Sequence, residues 1–187
     1  MAFVFEKTGI PEVIVVTLQQ FMDSRGFFSE LYRISDFKAA GIEVGLAQLN
    51  QSFSRKNVLR GMHYQIRPKP QAKVIFVPQG EIFDVAVDIR QGSPTYGKWV
   101  GQNLSQDNKR MLFIPAGFAH GFCVLSEAAQ IIYMCSDEYA PECERSIFWN
   151  DPVVNVVWPI AEPILSSKDA QAPRLADSEN NFVYSGK

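Results

Sequence analysis

The chain has 187 residues, a length typical of one domain. Hydrophobic residues make up 47 % of it, which is enough to bury a core and excludes an intrinsically disordered chain. The formal net charge of -2, from 18 basic and 20 acidic residues, excludes a globally basic nucleic-acid binder. We therefore expect a single domain over residues 1–187, with no nucleic-acid partner.

Membrane and export signals are missing from the pattern of the chain. No apolar run approaches the roughly 18 residues of a membrane-spanning helix, and the first ten residues lack the basic flank and apolar stretch of a secretory signal. Cys123, Cys135 and Cys143 have no C-x-x-C spacing, which favours a reducing compartment over a disulfide scaffold. We expect a cytoplasmic protein with no membrane partner.

The predicted elements are mostly short strands. A β-branched run at residues 13–18 comes first, and a short helix follows, with Ser35 as its N-cap, Asp36 in its first turn and Gly41 as its stop. Further apolar runs bounded by glycine and proline predict strands at residues 73–77, 83–89, 111–115 and 130–134. Short strands with such turns are typical of an antiparallel sandwich or barrel. From about residue 152 the chain is rich in proline, and we expect an irregular tail packed over the sheet.

Basic residues are concentrated in one segment. Between Glu43 and Glu81 there is no acidic residue, and the segment holds six of the 18 basic ones, namely Arg55, Lys56, Arg60, Arg67, Lys69 and Lys73. One interpretation is a solvated basic face. The other is an anion site, because a positive field around the central His63 suits a phosphorylated substrate.

Only two histidines occur, His63 and His120, so one chain cannot form a site of three histidine ligands. His63 could be a packed core residue, a metal ligand or a general base. The metal interpretation is disfavoured because an H-x-H pair of ligands would need a second histidine at position 65, where the chain has glutamine. A general base needs a carboxylate that orients the imidazole, and the sequence does not choose among Asp84, Asp88 and Asp169.

Tyr133 shares one strand face with Ile131 and Cys135, and strand alternation puts that face inward. An inward tyrosine usually packs, with its hydroxyl bonded to a neighbour. A role as a catalytic acid is the less common alternative.

Six motifs together carry a resemblance to a known family. They are DSRGFFSE (23–30), NVLRGMHYQ (57–65), GEIFDVAVDIR (80–90), SPTYGKW (93–99), IPAGFAHGF (114–122) and WNDP (149–152). In this order they resemble the dTDP-4-dehydrorhamnose 3,5-epimerases, over residues 3 to 175. The resemblance implies an all-β, cupin-type β jelly roll with a few short helices, which binds no metal and uses no cofactor.

The resemblance also implies the reaction. Members of the family act on a dTDP-linked 4-keto-6-deoxyhexose and invert C3 and C5, the two carbons α to the C4 ketone, in dTDP-L-rhamnose biosynthesis. A proton is removed from one face of the sugar and returned from the other. By the same resemblance His63 is the base, Asp169 its carboxylate partner, Tyr133 the acid, and Lys73 the cation beside the enolate oxygen.

Substrate-binding residues are likewise implied by the family motifs. Arg25 and Arg60 contact the phosphates, and His120 lines the sugar site. Tyr139 stacks on thymine, and Lys168 lies near the ligand. The residues expected to contact thymidine are Glu30, Gln48, Asn50 and Glu144. The N-terminal strand with Arg25 and Glu30 is expected to cross to the other subunit of a homodimer, although a plain turn after Asp23 is the alternative from the residues alone.

Two features of the sequence conflict with a simple transfer of the family pattern. Strict alternation along one strand puts Arg60 and His63 on opposite faces, so either a bulge near Gly61 resets the register or Arg60 reaches round from the strand end. Met134 also stands beside Tyr133 where many relatives carry lysine, which removes a cation from that position.

Three other functions remain as alternatives. The first is an epimerase that inverts C3 only, the second a non-catalytic cupin that binds sugar nucleotides, and the third a metal-dependent cupin oxygenase. Retention of His63, Lys73, Tyr133 and Asp169 together argues against the non-catalytic cupin. We expect the epimerase that inverts both carbons, converting dTDP-4-dehydro-6-deoxy-D-glucose into dTDP-4-dehydro-L-rhamnose.

Overall fold

The computed structural model describes residues 2–42 and 45–186, and these form thirteen strands and two short α-helices, with two turns of 3-10 helix. The helices are α1 (Ile34–Ala39) and α2 (Ser167–Ala170). The strands are β1 (Phe3–Lys7), β2 (Ile14–Leu18), β3 (Phe21–Asp23), β4 (Gly26–Phe28), β5 (Gln48–Arg55), β6 (Leu59–Gln65), β7 (Lys73–Gln79), β8 (Glu81–Asp88), β9 (Trp99–Ser105), β10 (Arg110–Ile114), β11 (Phe118–Val124), β12 (Ala128–Cys135) and β13 (Glu144–Ser146).

Two antiparallel sheets face each other. One has six strands in the order β1-β2-β10-β7-β12-β5, and the other has five in the order β13-β6-β11-β8-β9. Strands distant in sequence lie side by side in both sheets, as expected for a double-sheet jelly roll rather than a meander. The predicted all-β, cupin-type jelly roll with a few short helices is therefore confirmed.

Apolar side chains form three clusters, one between the sheets and one on each outer face. The inner cluster includes Ile75 and Ile131 from the six-stranded sheet and Phe122 from the other. The outer face of the six-stranded sheet packs under α1 through Phe37. The outer face of the five-stranded sheet is covered by the C-terminal segment, which contributes Leu175 and others. Both faces of each sheet are thus partly buried under apolar side chains, which explains why several strands are nearly continuous runs of apolar residues.

The predicted strands are present, and most extend beyond the apolar run that signalled them. Residues 73–77 belong to the longer β7, and residues 130–134 belong to β12. On β8 the predicted apolar face is confirmed, because Phe83, Val85 and Val87 all join the outer cluster.

The predicted start of α1 is wrong, and the predicted end is confirmed. The N-cap is Arg33, which makes no side-chain cap hydrogen bond, and Ser35 lies within the helix. Phe37 is fully buried against the rings of Phe3 and Phe5, and this packing sets where the helix sits in spite of the better capping residue. Gly41 follows the last turn with φ +81°, a conformation that favours glycine.

A bulge in β6 brings Arg60 and His63 to the same cavity. His63 pairs with His120, and Arg60 pairs with Phe122, so three steps along β6 match two steps along β11. At the bulge, Gly61 has φ +135°, and a Cβ there would lie 2.5 Å from Gly121 Cα. Only glycine fits this close approach of two backbones. The prediction of a register-resetting bulge near Gly61 is confirmed.

Near the N-terminus the β3–β4 hairpin projects from the sheets, with the side chains of Phe21, Met22, Phe27 and Phe28 exposed.

The C-terminal tail contains little regular structure. From residue 152 to 186 its only helical segments are α2 and the turn Leu175–Asp177. This tail is fastened to the start of β6 where the Leu59 backbone N–H donates to Ile164 O over 3.0 Å. None of the helices in the described ranges is long and apolar enough to cross a membrane.

Candidate active site

Two adjacent cavities lie between the sheets and share His63, Lys73 and Tyr133 in their walls. The first, of about 410 Å³, also exposes Arg60, His120, Phe122, Ser166, Lys168 and Asp169. The second, of about 250 Å³, also exposes Asn50, Ser52, Gln65, Cys135, Tyr139 and Glu144. A larger cavity of about 790 Å³ lies under the β3–β4 hairpin and is lined by none of the candidate site residues. The four predicted catalytic residues and most of the predicted binding residues therefore line the pair of smaller cavities.

His63 forms a short hydrogen bond with a buried carboxylate. Its Nε2 lies 2.6 Å from Asp169 Oδ1, and the Asp169 side chain is only 4 % exposed. Because an ionised carboxylate can only accept, Nε2 carries the proton, and the lone pair of the neutral imidazole is on Nδ1. The His63 side chain remains 29 % exposed to the cavity. Of the three carboxylates that the sequence left open, the structure thus pairs Asp169 with His63.

The Asp169 carboxylate is kept ionised by its hydrogen bonds. Burial raises its pKa, but hydrogen bonds from His63, Ser166 and the Gly61 backbone, with the charge of His63, lower the pKa below its ordinary value overall. Asp169 therefore carries its negative charge at neutral pH, facing His63.

His120 has a carboxylate of its own. Its Nε2 lies 2.7 Å from Asp84 Oδ1, and both residues are buried. Asp84 Oδ2 is buried without a hydrogen-bond partner. Burial raises the pKa of Asp84, against the opposing effects of His120 and Lys73. As a partner for His63, Asp84 is thus excluded.

Asp88, the third candidate partner for His63, belongs to a structural network instead. Its carboxylate accepts from Arg90 Nε and Nη2 over 2.9 and 2.7 Å, and from the hydroxyls of Ser93 and Thr95 over 2.6 Å. All its acceptor sites are used at the end of β8, so it is not available to either histidine.

Lys73 enters both cavities from the first position of β7. Burial lowers its pKa, while the nearby acidic groups Glu144 and Asp84 act in the opposite direction. A cation with little water around it interacts more strongly with an anion that forms beside it than a solvated one does.

Tyr133 points to the same space from β12. Its hydroxyl lies 2.8 Å from Ser52 Oγ, and its ring centroid is 6.3 Å from that of His120. Burial raises the pKa of Tyr133 to about 12, so the hydroxyl is protonated at neutral pH. Met134 faces the opposite way, into the outer cluster. A substitution at position 134 therefore does not change which groups face the Tyr133 hydroxyl.

A chain of hydrogen bonds joins predicted binding residues, of which Asn50, Tyr139 and Glu144 line the second cavity and Lys168 lines the first. Gln48 donates to Asn50 Oδ1 over 2.8 Å and accepts from the Tyr139 backbone N–H over 2.7 Å. The Tyr139 hydroxyl donates to Glu144 Oε2 over 2.7 Å, and Lys168 Nζ lies 2.5 Å from the same oxygen. The structure thus brings these five residues together at one side of the site.

The two predicted arginines are far apart in the fold. Arg60 lines the first cavity and donates from Nε to Ser54 Oγ over 3.0 Å. Arg25 lies in the turn of the β3–β4 hairpin and pairs with Asp23, while Glu30 pairs with Arg33. Neither Arg25 nor Glu30 lines the cavities of its own chain.

Three polar contacts at this site are not predicted from the sequence: Asp84 with His120, Ser52 with Tyr133, and Ser166 with Asp169. Only Ser166 had a local signal, since a serine three residues before an acidic residue is typical of a helix N-terminus. Among the described residues no three His, Cys, Asp or Glu side chains converge as metal ligands.

Fold and site together define a cupin-type jelly-roll protein with a hydrogen-bonded histidine–carboxylate pair in a cavity between its sheets. A sequence model described as dTDP-4-dehydrorhamnose 3,5-epimerase matches residues 7–177. The chain belongs to this family of isomerases.

Individual relatives are similar over nearly their whole length. The dTDP-4-dehydrorhamnose 3,5-epimerase of Pseudomonas aeruginosa is 51 % identical over 175 residues, covering 92 % of this chain and 96 % of the relative. A Legionella pneumophila dTDP-6-deoxy-D-glucose-3,5-epimerase solved with dTDP-4-keto-L-rhamnose superimposes with a TM-score of 0.90, at 46 % identity and 93 % coverage of both chains. A 3'-monoepimerase from Streptomyces bikiniensis, solved with dTDP-quinovose, has a TM-score of 0.86 at 35 % identity, covering 91 % of this chain and 87 % of its own.

Proposed function

We propose that this protein inverts C3 and C5 of dTDP-4-dehydro-6-deoxy-D-glucose to give dTDP-4-dehydro-L-rhamnose, in dTDP-L-rhamnose biosynthesis. The observation that carries the proposal is the convergence of the His63–Asp169 pair, Lys73 and Tyr133 on one space between the sheets. This set holds a base, a cation and an acid, which are the groups that epimerisation next to a ketone needs. The likeness to 3,5-epimerases over nearly the whole chain supports the substrate class.

His63 is the base in this proposal. With the proton on Nε2 toward Asp169, its Nδ1 lone pair is free to remove the proton from C3 or C5. The imidazolium that forms is stabilised by the ionised Asp169. A positioned base of this kind typically contributes roughly 10²–10⁴-fold to the rate.

Lys73 stabilises the charge that the abstraction produces. Removal of a proton α to the C4 ketone moves negative charge onto the carbonyl oxygen, giving an enolate. The ammonium group of Lys73 is already in place in a poorly hydrated site, so no solvent has to reorganise when the charge develops. His120, held by Asp84, lines the same cavity and contacts the sugar.

Tyr133 returns the proton from the other face of the ring. Its hydroxyl is protonated because burial raises its pKa. It enters from the six-stranded sheet, whereas His63 enters from the five-stranded sheet. A sugar lying between the sheets meets base and acid on opposite faces, which is the condition for inversion.

The nucleotide occupies the remainder of the site. Arg60 contacts the diphosphate, and the hydrogen-bonded group of Gln48, Asn50, Tyr139, Glu144 and Lys168 surrounds the thymidine, with Tyr139 stacked on the base. Arg25 and Glu30 complete the site of the partner subunit, because the exposed hairpin that carries Arg25 and leads to Glu30 projects from its own chain. The functional unit in this proposal is a cytoplasmic homodimer of single-domain chains with exchanged hairpins, and each irregular tail supplies Asp169.

A second candidate function is inversion of C3 alone. It is favoured by the likeness to the Streptomyces bikiniensis 3'-monoepimerase. The two functions differ in whether the C5 proton is exchanged and returned with inversion.

The test is NMR of the purified protein with the 4-keto sugar nucleotide in D2O. Deuterium at both C3 and C5, with both centres inverted, is the expected result. Deuterium and inversion at C3 only would establish the monoepimerase, and no exchange at either carbon would refute epimerase activity. Elemental analysis of the same sample tests the metal-dependent alternative.

A further inference from the structure

Ser166 holds the carboxylate that faces His63. Its Oγ donates to Asp169 Oδ2 over 2.8 Å, while Asp169 Oδ1 accepts from His63 Nε2 at 2.6 Å. Each oxygen of the carboxylate therefore has its own partner. Because the two oxygens are rigidly joined, fixing Oδ2 also fixes the direction in which Oδ1 points.

The contact arises from an altered helix cap. Ser166 is the N-cap of α2, and its Oγ also accepts from the Asp169 backbone N–H over 3.1 Å. In the usual capping box the acidic side chain at this position turns back to the N-cap backbone amide. Here the carboxylate binds the Ser166 hydroxyl and points to His63 on β6. The cap thus aims a side chain across the site.

The backbone around Ser166 is held in place by hydrogen bonds that do not involve the Ser166 hydroxyl. Two residues before Ser166, Ile164 is hydrogen-bonded to both sides of the turn into β6, with its N–H donating to Asn57 O over 2.8 Å and its carbonyl accepting from Leu59 N–H. Loss of the Ser166 hydroxyl is therefore expected to free the Asp169 side chain without detaching the tail.

We propose that Ser166 is a positioning residue of the acid–base pair, whose hydroxyl holds Asp169 in the rotamer that faces His63. Through that contact Ser166 fixes the tautomer of His63 with the proton on Nε2. The consequence for catalysis rests on the proposed function, in which His63 is the base. The consequence for the tautomer does not.

Two variants separate positioning from capping. Ser166→Gly removes the hydroxyl, and glycine is well tolerated at an N-cap. Ser166→Thr keeps a hydroxyl on the same carbon and serves as the conservative rescue. With the 4-keto sugar nucleotide, we expect Ser166→Gly to lower kcat by roughly ten- to hundred-fold, by analogy with the loss seen when the outer hydrogen-bond partner of a metal-bound histidine is removed. We expect its KM to stay within about twofold, and Ser166→Thr to keep kcat within about threefold of wild type.

The second measurement is 15N NMR of histidine-labelled protein without substrate. The chain has only two histidines, so the signals that remain in the His63→Ala variant belong to His120 and those that disappear belong to His63. We expect His63 to show the Nε2–H tautomer in wild type and a mixture of tautomers in Ser166→Gly. His120, which is held by Asp84, serves as the internal control and should not change.

Each outcome decides the proposal. A wild-type kcat or an unchanged His63 spectrum in Ser166→Gly would overturn it. Equal loss of activity in the glycine and threonine variants, or a change at both histidines, would assign Ser166 to folding and would also overturn it. If the wild-type protein fails to epimerise, the proposed function fails, while the His63 spectrum still decides whether Ser166 positions Asp169.

Discussion

His63 and His120 lie directly opposite each other on β6 and β11, and each is hydrogen-bonded to a different carboxylate. His63 is partly exposed in the cavity and pairs with Asp169 from the C-terminal segment. His120 is buried and pairs with Asp84 from the neighbouring strand β8. In the proposed mechanism the exposed pair exchanges a proton with the bound sugar, whereas the buried pair holds His120 in place beside it.

Asp169→Asn tests which carboxylate serves the base. The amide keeps the volume of the side chain but cannot stabilise an imidazolium, so we expect turnover to fall by roughly 10²–10⁴-fold. The fold and the affinity for dTDP should change little, as measured by thermal unfolding and ligand titration. Near-normal turnover would mean that the carboxylate partner of the base lies elsewhere.

Asp84→Asn is the matched control on the other histidine. Its amide oxygen can still accept from His120, but an N–H then replaces the buried, unpaired Oδ2. The oxygen that the N–H replaces is already without a partner, so the exchange adds no unsatisfied group, and we expect the free energy of unfolding in urea to change by no more than about 1 kcal/mol. Turnover should fall less than in Asp169→Asn. Equal losses of turnover would contradict the separate roles of the two pairs.

Tyr133→Phe separates removal of the protons from their return. The ring still packs against the inner cluster, so the stability should fall only by the lost hydroxyl contact with Ser52, about 1 kcal/mol. The variant should still exchange deuterium from solvent into the substrate while making less of the doubly inverted product, with C5 affected most. Formation of that product at the wild-type rate would leave Tyr133 with a packing role alone.

Gly61→Ala tests the bulge that brings Arg60 and His63 together. The new Cβ would lie 2.5 Å from Gly121 Cα, in addition to the strain of a positive φ. Gly92→Ala is the matched control, because Gly92 has φ +79° but nothing within 4 Å of its Cβ position. We expect Gly92→Ala to cost about 1–2 kcal/mol and Gly61→Ala a further loss of about 1–3 kcal/mol. Equal urea midpoints would show that the close approach does not constrain the strand.

Mixed dimers test whether the hairpin completes the partner's site. His63→Ala and Arg25→Ala homodimers should both be nearly inactive. After subunit exchange, a mixed dimer contains one site with both native residues, so activity should recover toward half of the wild-type value per mixed dimer. If exchange is verified by mass spectrometry and no activity returns, Arg25 acts within its own chain.

Local patterns were enough to predict the strands and the inward face of Tyr133, because alternation along a strand is a property of neighbouring residues. The partner of His63 could not be predicted from the residues alone, since Asp169 is 106 positions away and three carboxylates had suitable chemistry. The predicted N-cap of α1 was wrong for a related reason. Burial of Phe37 against other segments outweighed the preference of a serine such as Ser35 for the N-cap position. The family resemblance supplied what local patterns could not, including the conflict that required a bulge at Gly61.

Exchange of substrate protons by His63→Ala in D2O tests the central claim most directly. If His63 is the base for both carbons, NMR of the 4-keto sugar nucleotide will show no deuterium at C3 or C5, while dTDP still binds within a few-fold of wild type. Substantial exchange at C3 in this variant would contradict the account, because another group would then be removing the proton.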